Sequence, residues 1–301
     1  MSTTTMVYED RRAGLLTRFW DYAELTKPKI ALLELVTVAV AAFVAAWGMP
    51  DMRLLCGALL GTALVAAGAS AWNQWLERET DARMERTADR PLPAGRISTR
   101  EVLWFGSLTT VAGVVYLALA VNVLTAGLAL ATWIAYVCVY TPLKARTSAN
   151  TAVGAVAGAM PVLIGWTAVG GRLDVAAATM FMIVFLWQFP HFMTIAWIYR
   201  QQYAAAGLKM LSVVDPTGRR AARQAVLAAV VLVPVSLLPA AFSFGGMTYF
   251  VWVLALGLGQ LAAAVVFGRR TDERAARLLL RASLVYLPAV LVVLLVSPFV
   301  S

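Results

Sequence analysis

Charged residues are scarce in this chain, since Asp, Glu, Lys and Arg together make up only 14% of its 301 residues. Soluble domains usually carry about 25% charged residues. The mean hydropathy is +0.76, so most of the chain is too apolar to face water. The scarcity of charge therefore excludes an ordinary soluble globular domain, and we expect a membrane protein.

Cysteine is rare as well. The two cysteines, Cys56 and Cys138, fall in separate apolar segments, so we interpret them as packing residues rather than a disulfide. The first residues, "MSTTTMVYEDRRAGLL", lack an apolar signal core, and Glu9 and Asp10 argue against a transit peptide. This pattern favours a bacterial inner-membrane protein that is inserted by its own helices.

Long apolar runs dominate the chain. A helix needs about 20 residues to cross a hydrocarbon core of roughly 30 Å. Nine runs of that length begin near Ile30, Leu54, Val102, Val123, Thr151, Val175, Ala225, Met247 and Leu278, and the last ends near Val300. These runs and short loops leave no room for a soluble domain. The expected fold class is an all-α membrane protein with nine transmembrane helices.

The net charge of +9 is distributed in a way that indicates topology. With a cytoplasmic N-terminus and nine spans, 23 of the 25 Lys and Arg residues lie on the cytoplasmic side, and only Arg53 and Arg172 lie outside. This is the positive-inside pattern, and it places the C-terminus outside. We therefore give nucleic-acid binding little weight.

Two cytoplasmic loops are much longer than the others, one from Glu77 to Arg100 after span 2 and one from Arg200 to Arg223 after span 6. Spans 2 and 6 occupy corresponding positions if the chain consists of two four-helix units and a ninth helix. The spacing of the loops therefore indicates a weak internal repeat.

The first of these loops begins with a charged patch, "NQWLERETDARMERTADRPLPAGR". Asn73, Glu77 and Asp81 recur every four residues, so on a helix they share one face near the inner membrane edge. Oxygen ligands on one face suit Mg²⁺, which accepts one or two carboxylates when phosphate oxygens and water complete its octahedron. This spacing favours a metal site.

Three arginines, Arg83, Arg86 and Arg90, follow immediately and are suited to holding an anion such as a diphosphate. The alternative is a solvated cytoplasmic loop that carries mixed charges only because it must stay inside. The periodicity by itself leaves both interpretations open.

Six segments carry a family resemblance. The patch extended to "NQWLERETDARMERTADRPLPAGRIS" resembles the Asn-x3-Asp-x3-Asp motif and Arg-rich segment of the UbiA-type intramembrane prenyltransferases, and in particular of the haem O synthases (protohaem IX farnesyltransferases). "LTKPKIALLELVT", "YTPLKARTSANTAVGAVAGAMPVLIGW", "WQFPHFMTIAW", "AGLKMLSVVD" and "LLLRASLVYLPAVL" are similar to the same family. The resemblance extends from about Leu25 to Leu291.

The resemblance implies a fold and a reaction. The fold would be a nine-helix bundle around a central cavity open near the cytoplasmic face, formed by a single domain over residues 25–301 behind an N-terminal tail over residues 1–24. The reaction would be Mg²⁺-dependent transfer of farnesyl from farnesyl diphosphate to a vinyl group of haem B, completed by water, to give haem O. Membrane lipid, and haem A synthase or oxidase assembly proteins, would be further partners.

The resemblance also implies roles for the charged residues. Asn73, Glu77 and Asp81 would hold Mg²⁺ and serve catalysis, and Arg83, Arg86 and Arg90 would lie near the diphosphate. In the loop after span 4, Lys144 and Arg146 are further candidates for catalysis and diphosphate binding, with ordinary positive-inside charge as an equal alternative.

The chain departs from the family pattern at two places. Glu77 stands where the family usually has Asp, and it can still bind a metal. Gln201 and Gln202 stand where an acidic pair is expected after span 6. A second Mg²⁺ bound more weakly, replacement by Asp215 as a metal ligand, and the use of a single metal ion all remain open.

The only histidine of the chain, His191, lies in "WQFPHF" of span 6, three residues after Gln188 and on the same helix face. A lone histidine in a membrane helix is often a helix-to-helix hydrogen-bonding residue. Beside a haem substrate, His191 would ligate the iron or orient the porphyrin, with Gln188 next to it. We also expect Glu34 of span 1 to face the bundle interior, because an ionised acid facing lipid costs a few kcal/mol.

Two other functions fit parts of the sequence. A prenyltransferase acting on a quinone ring or a chlorophyll-type acceptor would share the diphosphate site, and the "WQFPHF" segment favours haem over these acceptors. A transporter or a haem-shuttling protein would suit the composition and the intramembrane prolines, but it has no need for oxygen ligands at four-residue spacing followed by arginines.

Overall fold

The computed structural model describes residues 14, 16–241 and 246–300, and it is helical throughout these ranges apart from turns and loops. Among the described residues, nine helices are long and apolar enough to cross a membrane. We number them α1 Pro28–Ala45, α2 Met52–Asp81, α3 Thr99–Ala120, α4 Val123–Leu143, α5 Asn150–Ala168, α6 Val175–Ile198, α7 Arg219–Ala241, α8 Gly246–Arg270 and α9 Glu273–Val300. The predicted fold class is confirmed.

The observed helices begin at or before the predicted starts. The largest differences are at α7, which begins at Arg219 rather than near Ala225, and at α9, which begins at Glu273 rather than near Leu278. Both helices start with a charged turn that hydropathy alone does not count as part of a span. Long basic side chains can reach water from such a turn, so the helix continues beyond the hydrocarbon core.

The N-terminal residues 16–25 are also helical. Asp21 pairs with Arg96 at 2.7 Å, and the fully buried Leu25 packs in a cluster with Leu92 and Ile97. The contact joins this segment to the loop after α2. The division into a tail over residues 1–24 and a domain over residues 25–301 stays a prediction, and residues 1–13 lie outside the described part.

Close contacts between helices depend on small residues. A Cβ added at Gly68 of α2 would lie 2.6 Å from the carbonyl oxygen of Gly106 in α3, so these two backbones approach too closely for any side chain. Gly154 and Gly158 of α5 serve a different purpose, since added Cβ atoms there would collide with Tyr140 and Gln188. The two glycines thus make room for side chains that line a cavity.

That cavity has a volume of about 530 Å³ and is enclosed by α1, α2, α4, α5, α6 and α9 together with the loops after α2, α4 and α6. α4 contributes through an irregular segment, because Ile134–Tyr140 is a π-helix. Tyr136 and Tyr140 of this segment both line the cavity. π-Helical turns are rare and often occur at functional sites, and the apolar periodicity of span 4 carries no signal of one.

Candidate active site

The cavity is charged at one end and apolar along its walls. Its lining includes five basic residues and three acids: Lys27, Lys29, Arg86, Arg90, Lys144, Glu34, Glu77 and Asp81. The walls are apolar or aromatic, for example Val65, Trp133, Ile164 and Leu287. The excess of basic side chains suits a multiply charged anion, and the apolar walls suit a hydrocarbon chain.

The three residues at four-residue spacing lie at the inner end of α2. Asn73 and Asp81 are buried, with exposed fractions of 0% and 1%, and the Glu77 side chain is 11% exposed. Glu77 and Asp81 line the cavity, whereas Asn73 lies behind its wall. The Asn73 side chain donates a hydrogen bond to Thr141 at 2.9 Å and accepts one from Lys27. All three side chains therefore face the protein interior rather than lipid.

Both carboxylates are paired with basic side chains. Lys144, directly after α4, lies 2.8 Å from Glu77, and Arg90 lies 2.6 Å from Asp81. Burial opposes the charge on Lys144, but the adjacent Glu77 carboxylate prevails and raises the pKa of Lys144 well above its usual value. Lys144 therefore stays protonated at the end of the cavity.

Lys27 is a site residue that sequence reasoning counted only as topological charge. It directly precedes Pro28, the first residue of α1, and its φ of 52° is unusual for a residue other than glycine. Burial, together with the nearby Arg90 and Lys144, lowers the pKa of Lys27 to about 7. The signal that could have identified it was its position in "LTKPK", one of the segments that carry the resemblance.

The turn after α2 explains how two of the predicted arginines reach the cavity. The Thr87 hydroxyl donates to the carbonyl oxygen of Asp81 at 2.8 Å, and the short helix Glu85–Ala88 follows this turn. Arg86 lies with its guanidinium 4.6 Å from the ring centroid of Tyr199. Arg90 pairs with Asp81, as described above. Both arginines line the cavity.

Other predicted residues lie elsewhere. Arg83 and Arg146 are exposed and do not line the cavity. Asp215 does not line it either. Its carboxylate accepts hydrogen bonds from the Thr217 hydroxyl at 2.6 Å and the Arg220 amide at 2.8 Å. These contacts, the Thr217 hydroxyl foremost, lower the pKa of Asp215. The Asp215 carboxylate thus stabilises the turn at the start of α7, away from the other predicted metal ligands.

Gln201 and Gln202, which replace the expected acidic pair, lie in the short helix Arg200–Ala205. Neither lines the cavity, but their neighbour Tyr203 does. The Tyr203 hydroxyl accepts a weak hydrogen bond from Arg86 at 3.4 Å. The loop after α6 therefore brings an aromatic side chain, and no carboxylate, to the cavity.

His191 and Gln188 of α6 both line the cavity. The His191 ring stacks on Trp187, with centroids 4.9 Å apart, and its Nδ1 lies 3.0 Å from the Ser283 hydroxyl of α9. The Gln188 amide donates to the carbonyl oxygen of Ala155 at 2.9 Å. Glu34 also lines the cavity, so it faces the bundle interior as expected.

The carboxylates suit one kind of metal site. Within the described ranges, no three Asp, Glu, His or Cys side chains cluster closely enough to hold a metal ion by themselves. Glu77 and Asp81 offer two carboxylates one helical turn apart. Mg²⁺ is commonly bound by one or two carboxylates, with substrate phosphate oxygens and water as its other ligands. The donor set therefore fits Mg²⁺ that arrives with a phosphorylated substrate, and it does not fit an all-protein metal cage.

The chain belongs to the UbiA prenyltransferase family, whose model matches residues 35–286. It is therefore an intramembrane prenyltransferase. Among curated proteins, it is 44% identical over 282 residues to a protoheme IX farnesyltransferase of Solibacter usitatus, covering 90% of this chain and 96% of that one. It is 41% identical over 307 residues to a protoheme IX farnesyltransferase of Koribacter versatilis, covering 99% of both chains.

Solved structures show the same fold. A digeranylgeranylglyceryl phosphate synthase superposes with a TM-score of 0.80 at 17% identity, covering 94% of this chain and 99% of that one. A UbiA homolog from Archaeoglobus fulgidus bound to GPP and Mg²⁺ superposes with a TM-score of 0.64 at 17% identity, covering 91% of this chain and 99% of that one.

Proposed function

We propose that this protein transfers the farnesyl group of farnesyl diphosphate to a vinyl group of haem B, with addition of water, to give haem O and diphosphate. The observation that carries the proposal is a single cavity that joins paired carboxylates and basic side chains at one end to apolar walls and His191. Relatives named protoheme IX farnesyltransferase, similar over nearly the whole chain, support the same donor and acceptor.

The charged end would bind the diphosphate. Lys27, Arg86, Arg90 and Lys144 lie on several sides of it and would hold the anion as the allylic C–O bond breaks. Glu77 and Asp81 would bind Mg²⁺, which neutralises the departing diphosphate when bound. Asn73 does not line the cavity and would act indirectly. Its side-chain carbonyl oxygen accepts a hydrogen bond from Lys27 and would position that ammonium group.

The release of Glu77 and Asp81 from their present partners is part of the proposal. In the structure Lys144 and Arg90 neutralise the two carboxylates. Lys144 and Arg90 would hold the diphosphate, and Glu77 and Asp81 would hold Mg²⁺, in place of these two ion pairs. Such an exchange would keep every charge paired, which matters because a buried charge that loses its partner is strongly destabilising.

The apolar walls would hold the farnesyl chain and keep water from its allylic carbon until the vinyl group has reacted. Trp187 and Tyr140 line the cavity and can shield positive charge on the isoprenoid through their ring faces. The vinyl carbon then forms the new C–C bond, and water adds to the carbon next to the porphyrin with loss of a proton. His191 and Gln188 would position the porphyrin.

The topology and partners follow from the same proposal. The protein is a multi-pass membrane protein, and we place it in a bacterial inner membrane with the N-terminus inside and the C-terminus outside, supported by the bias of Lys and Arg to one side. Its product would pass to haem A synthase or oxidase assembly proteins. We propose a single Mg²⁺, because the two carboxylates at the charged end, Glu77 and Asp81, are neighbours on one helix and the loop after α6 brings no carboxylate to the cavity.

Incubation of the purified full-length protein with haem B, farnesyl diphosphate and Mg²⁺, followed by mass spectrometry of the extracted haem, tests donor, acceptor and reaction together. We expect the mass of haem B plus one farnesyl group and one hydroxyl group, and no product when EDTA removes the metal. Parallel incubation with a hydroxybenzoate acceptor tests the alternative. Prenylated hydroxybenzoate with unchanged haem would overturn the haem assignment.

A further inference from the structure

Ser283 of α9 is a fully buried residue that makes three hydrogen bonds around His191. Its hydroxyl donates to the carbonyl oxygen of Leu280 at 2.7 Å and lies 3.0 Å from His191 Nδ1. Its own carbonyl oxygen accepts a hydrogen bond from the Trp187 indole at 2.7 Å. Trp187 in turn stacks on the imidazole with an interplanar angle of 19°. One serine therefore contacts both the ring and the residue on which the ring stacks.

The two partners of the Ser283 hydroxyl favour one tautomer of His191. A serine hydroxyl has a single proton, and the Leu280 carbonyl, which can only accept, is its nearer partner at 2.7 Å against 3.0 Å for His191 Nδ1. A hydroxyl that donates to Leu280 can only accept from His191, and in that arrangement Nδ1 carries the imidazole proton. In the neutral imidazole, the lone pair then lies on Nε2.

Nε2 is the ring atom left for a ligand. In the part of the chain that the structure describes, it makes no hydrogen bond, and His191 lines the cavity. The Trp187 stack fixes the plane of the ring, and Ser283 fixes its rotation within that plane. The lone pair thus has a defined direction before any substrate binds.

We propose that Ser283 is a positioning residue that holds His191 in the Nδ1–H tautomer, so that Nε2 presents its lone pair to the iron of a porphyrin acceptor. The inference rests on the proposed function. A hydrogen bond to the distal ring nitrogen orients a metal-binding histidine and makes it a better ligand, and losing such a partner costs about 10- to 100-fold in metal affinity.

The tautomer can be measured without any substrate, because His191 is the only histidine of the chain. The ¹⁵N-histidine spectrum of the full-length protein, prepared without added histidines, contains one pair of ring nitrogens. We expect Nδ1 to be of the protonated type and Nε2 of the unprotonated type. We expect S283T to preserve this pattern and S283A to give a mixture of tautomers. A wild-type spectrum with the proton on Nε2, or an S283A spectrum equal to wild type, would overturn the proposal.

Porphyrin binding gives the second readout. We expect S283A to bind ferric protoporphyrin IX about 10-fold more weakly and to lose the spectral signature of imidazole ligation, with S283T close to wild type. Affinity for metal-free protoporphyrin IX should be unchanged, since it has no iron to ligate. The matched control is S236A, which removes another fully buried serine whose hydroxyl donates to the Val233 carbonyl in α7.

The outcomes separate the two proposals. If wild type binds ferric protoporphyrin IX with no imidazole signature, and H191A binds it equally well, the haem role of His191 fails. If H191A loses the signature while S283A keeps it at full affinity, the role of Ser283 fails and the proposed function stands. Equal weakening of iron-containing and metal-free porphyrin in S283A would indicate general packing and would also overturn the positioning role.

Discussion

The two long loops at the charged end of the bundle, one after the second span and one after the sixth, contribute different kinds of side chain. The first loop, residues 82–98, brings Arg86 and Arg90 to the cavity beside Asp81 at the end of α2. The second loop, residues 199–218, brings Tyr203, Leu208 and Met210. One loop supplies charge and the other supplies apolar and aromatic cover.

The two loops are joined through a few contacts. The Arg86 guanidinium lies over the Tyr199 ring, and Met84 packs in one buried cluster with Leu208 and Met210. The second loop also contacts the loop after α4, where the Lys209 amide donates to the carbonyl oxygen of Lys144 at 2.7 Å. The comparison teaches that two long loops at the same end of the bundle can supply different chemistry, since here one provides charged side chains and the other provides apolar and aromatic side chains.

Substitution D81N should produce the largest effect, because it removes a buried carboxylate at the end of α2, next to the first loop, and leaves Arg90 without its ion-pair partner. We expect haem O formation to fall on the order of 100-fold or more, as for loss of a group that stabilises transition-state charge. The mass-spectrometric assay measures it. The matched control is D51N at the other end of α2, where Asn also serves as an N-cap. Equal activity of D81N and D51N would contradict the site.

Substitution K144M tests whether the Glu77–Lys144 pair serves stability as well as binding. Loss of one partner of a largely buried pair should destabilise the protein by about 3 kcal/mol, because Glu77 loses the basic side chain with which it pairs directly. We expect the double variant E77Q/K144M to recover thermal stability but not turnover. Thermal melts in detergent and the haem assay separate the two effects. Full turnover in the double variant would show that the pair is only structural.

Substitution R86K tests the contact between the loops. Lysine keeps the charge but loses the planar stacking on Tyr199. A cation–π contact is worth about 1 kcal/mol, so we expect the KM for farnesyl diphosphate to rise roughly 5-fold with little change in kcat. R83K is the matched control, since Arg83 is exposed outside the cavity. An equal rise in both variants would mean that the effect reflects general surface charge.

Substitution D215N should have the smallest effect, and it tests whether the second loop supplies a metal ligand. Asn can still accept the hydrogen bonds that hold the turn before α7, so we expect turnover within about two-fold of wild type and an unchanged Mg²⁺ dependence. Titration of Mg²⁺ in the haem assay checks this. A loss of turnover as large as that of D81N would show that the second loop also supplies a metal ligand, and would contradict the proposed difference between the two loops.

Local sequence patterns predicted much of the fold and part of the candidate site. The nine spans follow from hydropathy, because each apolar run of sufficient length must satisfy its backbone hydrogen bonds as a helix in lipid. The four-residue spacing of Asn73, Glu77 and Asp81 puts them on one face of α2, since helical periodicity is a property of neighbouring residues. The one-turn proximity of Gln188 and His191 has the same origin.

The sequence by itself thus determined the membrane class, the helices and the candidate ligands on each helix. Only the tertiary structure decided which partners meet: Lys144 with Glu77, Lys27 with Asn73, and Ser283 with His191 across 92 positions. It also decided that Arg83, Arg146 and Asp215 lie away from the cavity. The physical reason is that side-chain periodicity is local, whereas contacts between helices depend on their packing and on the turns that connect them.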